Sequence, residues 1–141
     1  MASSRTSSVG LSLGVGIFVL TVATAVIHLY LAFTAIGSMG FNFGVMLFIL
    51  NGLGYLGLLA VLQLSIRQLG YLGLLAVLQL PIRQLARFRS AARWALIAFA
   101  ALTIVLFFIM APVYMLIGYV DKAIEVALIA LLLADAYTAS S

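Results

Sequence analysis

The chain has 141 residues, 67% of them hydrophobic and 7% charged, whereas soluble domains run near about 45–50% apolar and about 25% charged. Such sparse charge cannot cover a water-facing surface, which excludes an ordinary soluble enzyme, and the lack of cysteine excludes disulfides, thiolate metal sites and cysteine nucleophiles. The net charge of +4 does not imply nucleic acid, because five of the seven basic residues fall between positions 67 and 93, flanked by apolar runs, the mark of a cytoplasmic loop in a membrane protein.

A bilayer core takes roughly 20 residues of helix per crossing, so the chain has room for four or five crossings. The first apolar segment runs from Leu11 to Ile36. Arg5 before it and Ala23-Thr24-Ala25 within it give the outline of a secretory signal peptide. The run is too long for a signal core, however, and suits a tilted span. His28, the only histidine, shares a helical face with Thr24 and Thr21, and a polar stripe in a span turns toward protein rather than lipid. One histidine cannot supply both axial ligands of a bis-histidine haem, and a metal site here lacks the usual companions. No cofactor, metal or catalytic residue is expected, and His28 reads first as a side chain hydrogen-bonded across helices.

After the turn signal Gly37-Ser38-Met39-Gly40, the second segment starts at Phe43 and reaches residue 66, just before Arg67. Within it, Gly52-Leu53-Gly54-Tyr55-Leu56-Gly57 spells the dinucleotide fingerprint, but without the strand and solvated helix that give that motif its chemistry. Small residues in a membrane helix let a neighbouring backbone approach, a role also open to the Gly10–Gly14 and Gly40–Gly44 pairs.

A tandem repeat follows. Residues Gly54–Leu69 and Gly70–Leu85 match at fifteen of sixteen positions, Ser65 against Pro81 being the difference. Identity this close reads as a recent duplication, an engineered insertion or a recording error rather than as a solenoid. The first copy belongs to the end of the second span. The second, with a short apolar stretch between Arg67 and Arg83, is expected to form an extra helical extension or hairpin on the cytoplasmic side.

The basic loop Arg67, Arg83, Arg87, Arg89 and Arg93 leads into a third segment over residues 91–110, ended by Ala111-Pro112. The fourth segment covers 119–137. Asp121 is placed to cap its first turn, Lys122 to pair with Glu125, and Asp135 to meet the arginine loop as an interfacial pair. An uncharged first loop and an arginine-rich second one put both termini in the cytoplasm. Tyr30, Trp94, Tyr114, Tyr119 and Tyr137 fall near span ends, where amphipathic rings prefer the interface. At 1.5 Å rise per residue, His28, Asn51, Tyr55, Lys122 and Glu125 come to similar depths in the outer half of the membrane, a candidate intramembrane polar cluster.

At Ile27-His28-Leu29-Tyr30-Leu31-Ala32 and from Gly118-Tyr119-Val120-Asp121-Lys122 through Ile129, the chain resembles small four-helix integral membrane proteins of halophilic archaea that have no assigned function. The resemblance implies four spans, a plasma-membrane location and a haloarchaeal source; the duplicated segment departs from that pattern.

The expected fold is all-α, a transmembrane bundle of four spans in a single domain over residues 1–141 plus the extra piece from the repeat. The expected role is that of a non-catalytic structural or accessory subunit, not an enzyme. The alternative is a small transporter or channel for protons, ions or a small solute through the outer polar cluster. Membrane lipid is the expected partner, with a homo-oligomer or a larger membrane complex as the assembly and no nucleic acid.

Overall fold

A computed structural model describes residues 3–64, 82–110 and 116–140. Four helices account for them: α1 (Ser3–Met39), α2 (Phe43–Leu64), α3 (Ile82–Met110) and α4 (Leu116–Ser140). Most of the second repeat copy, with the extension or hairpin expected of it, lies outside the described residues, as do Arg67 and Tyr114.

Three of the four helices, α1, α3 and α4, outrun the apolar segments that announce them. The third begins at Ile82 rather than near Ala91, so the last four residues of the repeat and the arginines after them are helical. The fourth begins at Leu116, three residues before Tyr119, and Asp121 sits beyond its first turn. Asp121 is therefore not a cap. Hydropathy marks where lipid can solvate a helix, whereas the helix itself continues through charged residues as long as its backbone bonds propagate.

Between α1 and α2 the chain turns at Gly40, whose φ of 70° falls in the left-handed region that glycine enters freely. Its amide donates to the Ile36 carbonyl at 3.0 Å, closing α1. Asn42 Oδ1 then accepts from the Val45 amide at 3.0 Å and caps α2.

Each helix packs on its chain neighbours and α4 returns to α1, which closes a ring of four. Successive helices are antiparallel: Thr24 meets Asp121, Tyr55 meets Thr103 and Glu125, and Arg93 meets Asp135. One end of the bundle is formed by the α1–α2 turn, and the other carries Arg89, Arg93 and Asp135.

The buried side of α2, Val45, Tyr55, Leu59 and Leu62, recurs at intervals built from threes and fours, as knobs-into-holes packing requires. Ala25, Ala92 and Ala100 are as deeply buried as the leucines around them, which lets backbones approach. Gly52 shows why: a Cβ there would stand 2.6 Å from Leu29 Cγ and 3.1 Å from the Ala25 carbonyl. Within the glycine motif, Gly52 thus makes room for α1 and Gly54 for Phe99 of α3, while nothing stands within 4 Å of a Cβ at Gly57. The other glycine pairs differ, since Gly40 makes a turn and nothing stands within 4 Å of a Cβ at Gly14.

Outside, the bundle is apolar. Phe33, Phe108 and Ile109 are exposed, and at most 33% of the apolar window in α1, α2 or α3 is buried. Those three helices hold stretches of 28, 21 and 21 residues long and apolar enough to cross a membrane; α4 is not among them.

Candidate functional site

The polar side chains of the bundle interior gather in two places. The larger lies in its turn-end half, where four threads of sequence converge. From α1 come Thr24 and His28, held on the inner face by the spacings of three and four that run on from Thr21. Tyr55 comes from α2, Thr103 from α3, and Asp121, Lys122 and Glu125 from α4. All seven are buried, Thr24, Tyr55 and Glu125 completely.

Asp121 and Glu125 are the acceptors. Asp121 Oδ1 receives the Thr24 hydroxyl at 2.6 Å, and its Oδ2 receives Lys122 Nζ at 3.0 Å. Glu125 Oε1 receives the Tyr55 hydroxyl at 2.9 Å, and its Oε2 receives Lys122 Nζ at 2.7 Å. All four carboxylate oxygens are satisfied, as burial demands. Lys122 also lies 5.6 Å from the centre of the Phe107 ring, a distance at which a ring face attracts a cation.

His28 closes the group. Its Nδ1 lies 2.9 Å from the Thr24 carbonyl oxygen, which can only accept, so Nδ1 carries a proton. Nε2 then faces Asp121 Oδ2 at 3.7 Å, too far for a direct hydrogen bond but close enough for charge to be felt. The ring packs obliquely on Phe48 and Tyr55, with centroids 6.1 and 5.9 Å away. Tyr55 in turn meets Phe99 edge-on at 5.0 Å, while its hydroxyl lies 3.1 Å from Thr103 Oγ1. The charges are two carboxylates against one ammonium, so the group carries one net negative charge when His28 is neutral and none when the imidazole is protonated.

The structure thus brings together His28, Tyr55, Lys122 and Glu125 of the residues singled out from the sequence, and leaves Asn51 aside. Asn51 is half-buried and has no hydrogen bond to the group. At about 100° per residue Asn51 lies only about 40° around α2 from Tyr55, on the side away from Gly52, so it comes near the network in depth and direction without bonding to it. Thr24, which the sequence placed on the His28 face, Asp121 and Thr103 are the additions. Thr103 had a visible signal, being a hydroxyl in an otherwise apolar run; Asp121 was visible too, but the later expected helix start made it look like a cap. With α4 starting at Leu116, Glu125 lies about 14 Å from that helix end, and His28 and Tyr55 about 16 to 18 Å from theirs.

Chemically, the group can hold a positive charge. One ligand-capable atom from each of His28, Asp121 and Glu125 falls within 4.8 Å of the others, a mixed nitrogen and oxygen set of the kind that binds divalent cations. The Lys122 ammonium already neutralises the same carboxylates from within the chain.

The second centre is at the arginine end. Arg93 Nη1 donates to Asp135 Oδ2 at 2.9 Å and Arg89 Nη2 to Oδ1 at 3.3 Å. The side chains of Arg93 and Asp135 are only 10% and 11% exposed, so this is not the solvated interfacial pair expected; the helical start of α3 carries Arg93 into the bundle. Arg83 and Arg87 lie on the first turns of α3.

Three long apolar helices packed side by side, with the charged residues of α4 buried against their neighbours, fit a helical membrane protein. Comparison adds no relative: the chain matches no family model, no curated protein and no solved structure.

Proposed function

We propose that the chain is a four-span membrane protein with a non-catalytic, structural or accessory role, its buried ionic network serving to fix how the four helices fit together. α4 supplies the fourth span. Its composition disqualifies it as an isolated apolar segment, yet Asp121, Lys122, Glu125 and Asp135 are all buried against neighbouring helices, which is how ionisable residues are tolerated in lipid.

The observation that carries this reading is the saturation of the network by the chain's own donors. Thr24, Tyr55 and Lys122 occupy every oxygen of Asp121 and Glu125. A transported solute needs ligands that are free to bind it, whereas a closed set of hydrogen bonds between helices specifies register. A bundle of this size joined to larger partners in the plasma membrane, both termini cytoplasmic, is consistent with the arginine-rich end, and with the haloarchaeal resemblance at His28 and Asp121–Glu125. Purification from native membrane in mild detergent tests the role. Recovery within a larger complex supports it; a small pure oligomer that moves protons or cations when reconstituted opposes it.

A second reading, a small transporter or channel for protons or cations, is favoured by one contact. His28 Nε2 faces Asp121 at 3.7 Å and offers a place for one added positive charge. Proteoliposomes with an imposed pH gradient separate the two readings: flux abolished by His28→Ala, with helix content intact, would establish transport.

A further inference from the structure

At the arginine end, two guanidiniums meet one carboxylate. Both oxygens of Asp135 are taken, by Arg93 and by Arg89, and one positive charge is left over. The Nε groups of both arginines are buried without a hydrogen-bond partner among the described residues. A buried cationic donor without an acceptor is costly, and such a group in a native fold calls for an anion or water to meet it. Arg93 is only 8% exposed, so its orphaned N–H belongs to the interior of a built centre and not to a solvated surface.

A crevice of about 10 Å³ opens at Arg89 and Asp135, lined also by Gly14, Ile17, Leu62 and Gln63. That volume admits one oxygen-sized group and no whole solute. Arg89 spans the boundary, with 40% of its side chain exposed. At the same level, Trp94 follows Arg93 and is 53% exposed, an amphipathic ring of the type that settles among lipid headgroups.

The geometry points to Arg89 and Arg93 as a binding site for a phosphate oxyanion, carried by an anionic lipid headgroup or free in solution. Asp135 holds the two guanidiniums side by side. The oxyanion accepts from donors that the carboxylate leaves unused and balances the extra charge, one oxygen entering the crevice while the rest stays at the interface. Guanidinium suits this because its fork matches phosphate oxygens, which an ammonium cannot do. The site is separate from the network at the turn end and stands whether or not that network proves structural.

The full chain in nanodiscs tests it. Discs of phosphatidylcholine receive increasing phosphatidylglycerol, with the thermal midpoint and the lipid retained on release measured; in detergent, inorganic phosphate is titrated against chloride at equal ionic strength. The expected result is a saturable rise of the midpoint with phosphatidylglycerol. Arg89→Gln, at the exposed edge, should keep its helix content and bind that lipid about fivefold more weakly, the worth of one interfacial arginine. Arg93→Lys, which keeps the charge but loses the fork, should also weaken it. A gain from phosphatidylglycerol but not from free phosphate assigns the site to a headgroup; a gain from inorganic phosphate, with none added by the lipid, assigns it to a free oxyanion. Equal midpoints in both lipids with no response to phosphate overturn the proposal, as does an Arg89→Gln chain that responds like the parent.

Discussion

At the turn end two carboxylates share one ammonium and the contacts span all four helices; at the arginine end two guanidiniums share one carboxylate and, among the described residues, their ion pairs join α3 to α4. The chemistry is the same and the surroundings are not. Glu125 and Thr24 have no exposed surface, so a charge stripped of its partner there cannot turn to solvent. Arg89 keeps 40% of its side chain in the open, so the arginine end can re-solvate part of what it loses. Burying a charge pair often costs more than its attraction returns. What the turn-end network adds is uniqueness of fit, because its bonds can be made together only at one register of the four helices.

The contrast is tested hardest at Lys122. Lys122→Met leaves Asp121 and Glu125 as buried carboxylates without their ammonium, and the expected loss is about 3–5 kcal/mol of folding stability, read from denaturing-detergent titration followed by circular dichroism. The double variant Lys122→Met, Glu125→Gln, which removes one of those charges, should recover much of it. A Lys122→Met chain as stable as the parent would mean that lipid-side water reaches the network, and the two ends would then no longer differ in kind.

Arg93→Gln is the matching cut at the arginine end. It removes a 2.9 Å bond to Asp135 but leaves Arg89 on the other oxygen, so the expected cost is about 1.5–3 kcal/mol, the range for a hydrogen bond to a charged group. The same titration reads it. A cost equal to or above that of Lys122→Met would reverse the order of the two ends.

Tyr55→Phe probes the turn end more gently. The ring and its edge-on contact with Phe99 stay, while Glu125 Oε1 and Thr103 lose the hydroxyl between them. The expected loss is about 1–2 kcal/mol. Double-mutant cycles with Thr103→Val should show coupling, since both side chains belong to one chain of bonds.

Much of this architecture is written in apolar length. Three stretches long enough to cross a bilayer are legible at once, because hydropathy over about 20 residues is a strong and local signal. The Thr21, Thr24, His28 stripe is legible for a similar reason, since a polar face on an apolar helix has to find protein. The contact of Asp135 with the arginines, 42 residues away from Arg93 in sequence, is legible as well; what local sequence does not show is that Arg89 and Arg93 sit on α3 rather than in a loop, with Arg93 buried, because charge marks a span boundary only when nothing inside the bundle neutralises it. Asp121 was misread through the helix start. A cap and an interior acceptor differ by little more than one turn, and helix ends are the feature that local sequence determines least.

Asn51 gives the finest test, because it separates position from bonding. It lies about one turn from Tyr55 and about 40° around the helix from it, yet of the two Tyr55 alone bonds to the network. Position alone predicts that Asn51→Ala should cost as much as Tyr55→Phe; the missing bond predicts a change within about 0.5 kcal/mol, as for positions outside buried networks. The expected outcome is the second, measured by the same titration and combined with His28→Ala to check that the two effects simply add. Non-additivity would place the Asn51 amide in contact with the His28 group during some part of the folded lifetime, and the boundary of the turn-end network would have to be redrawn to include it.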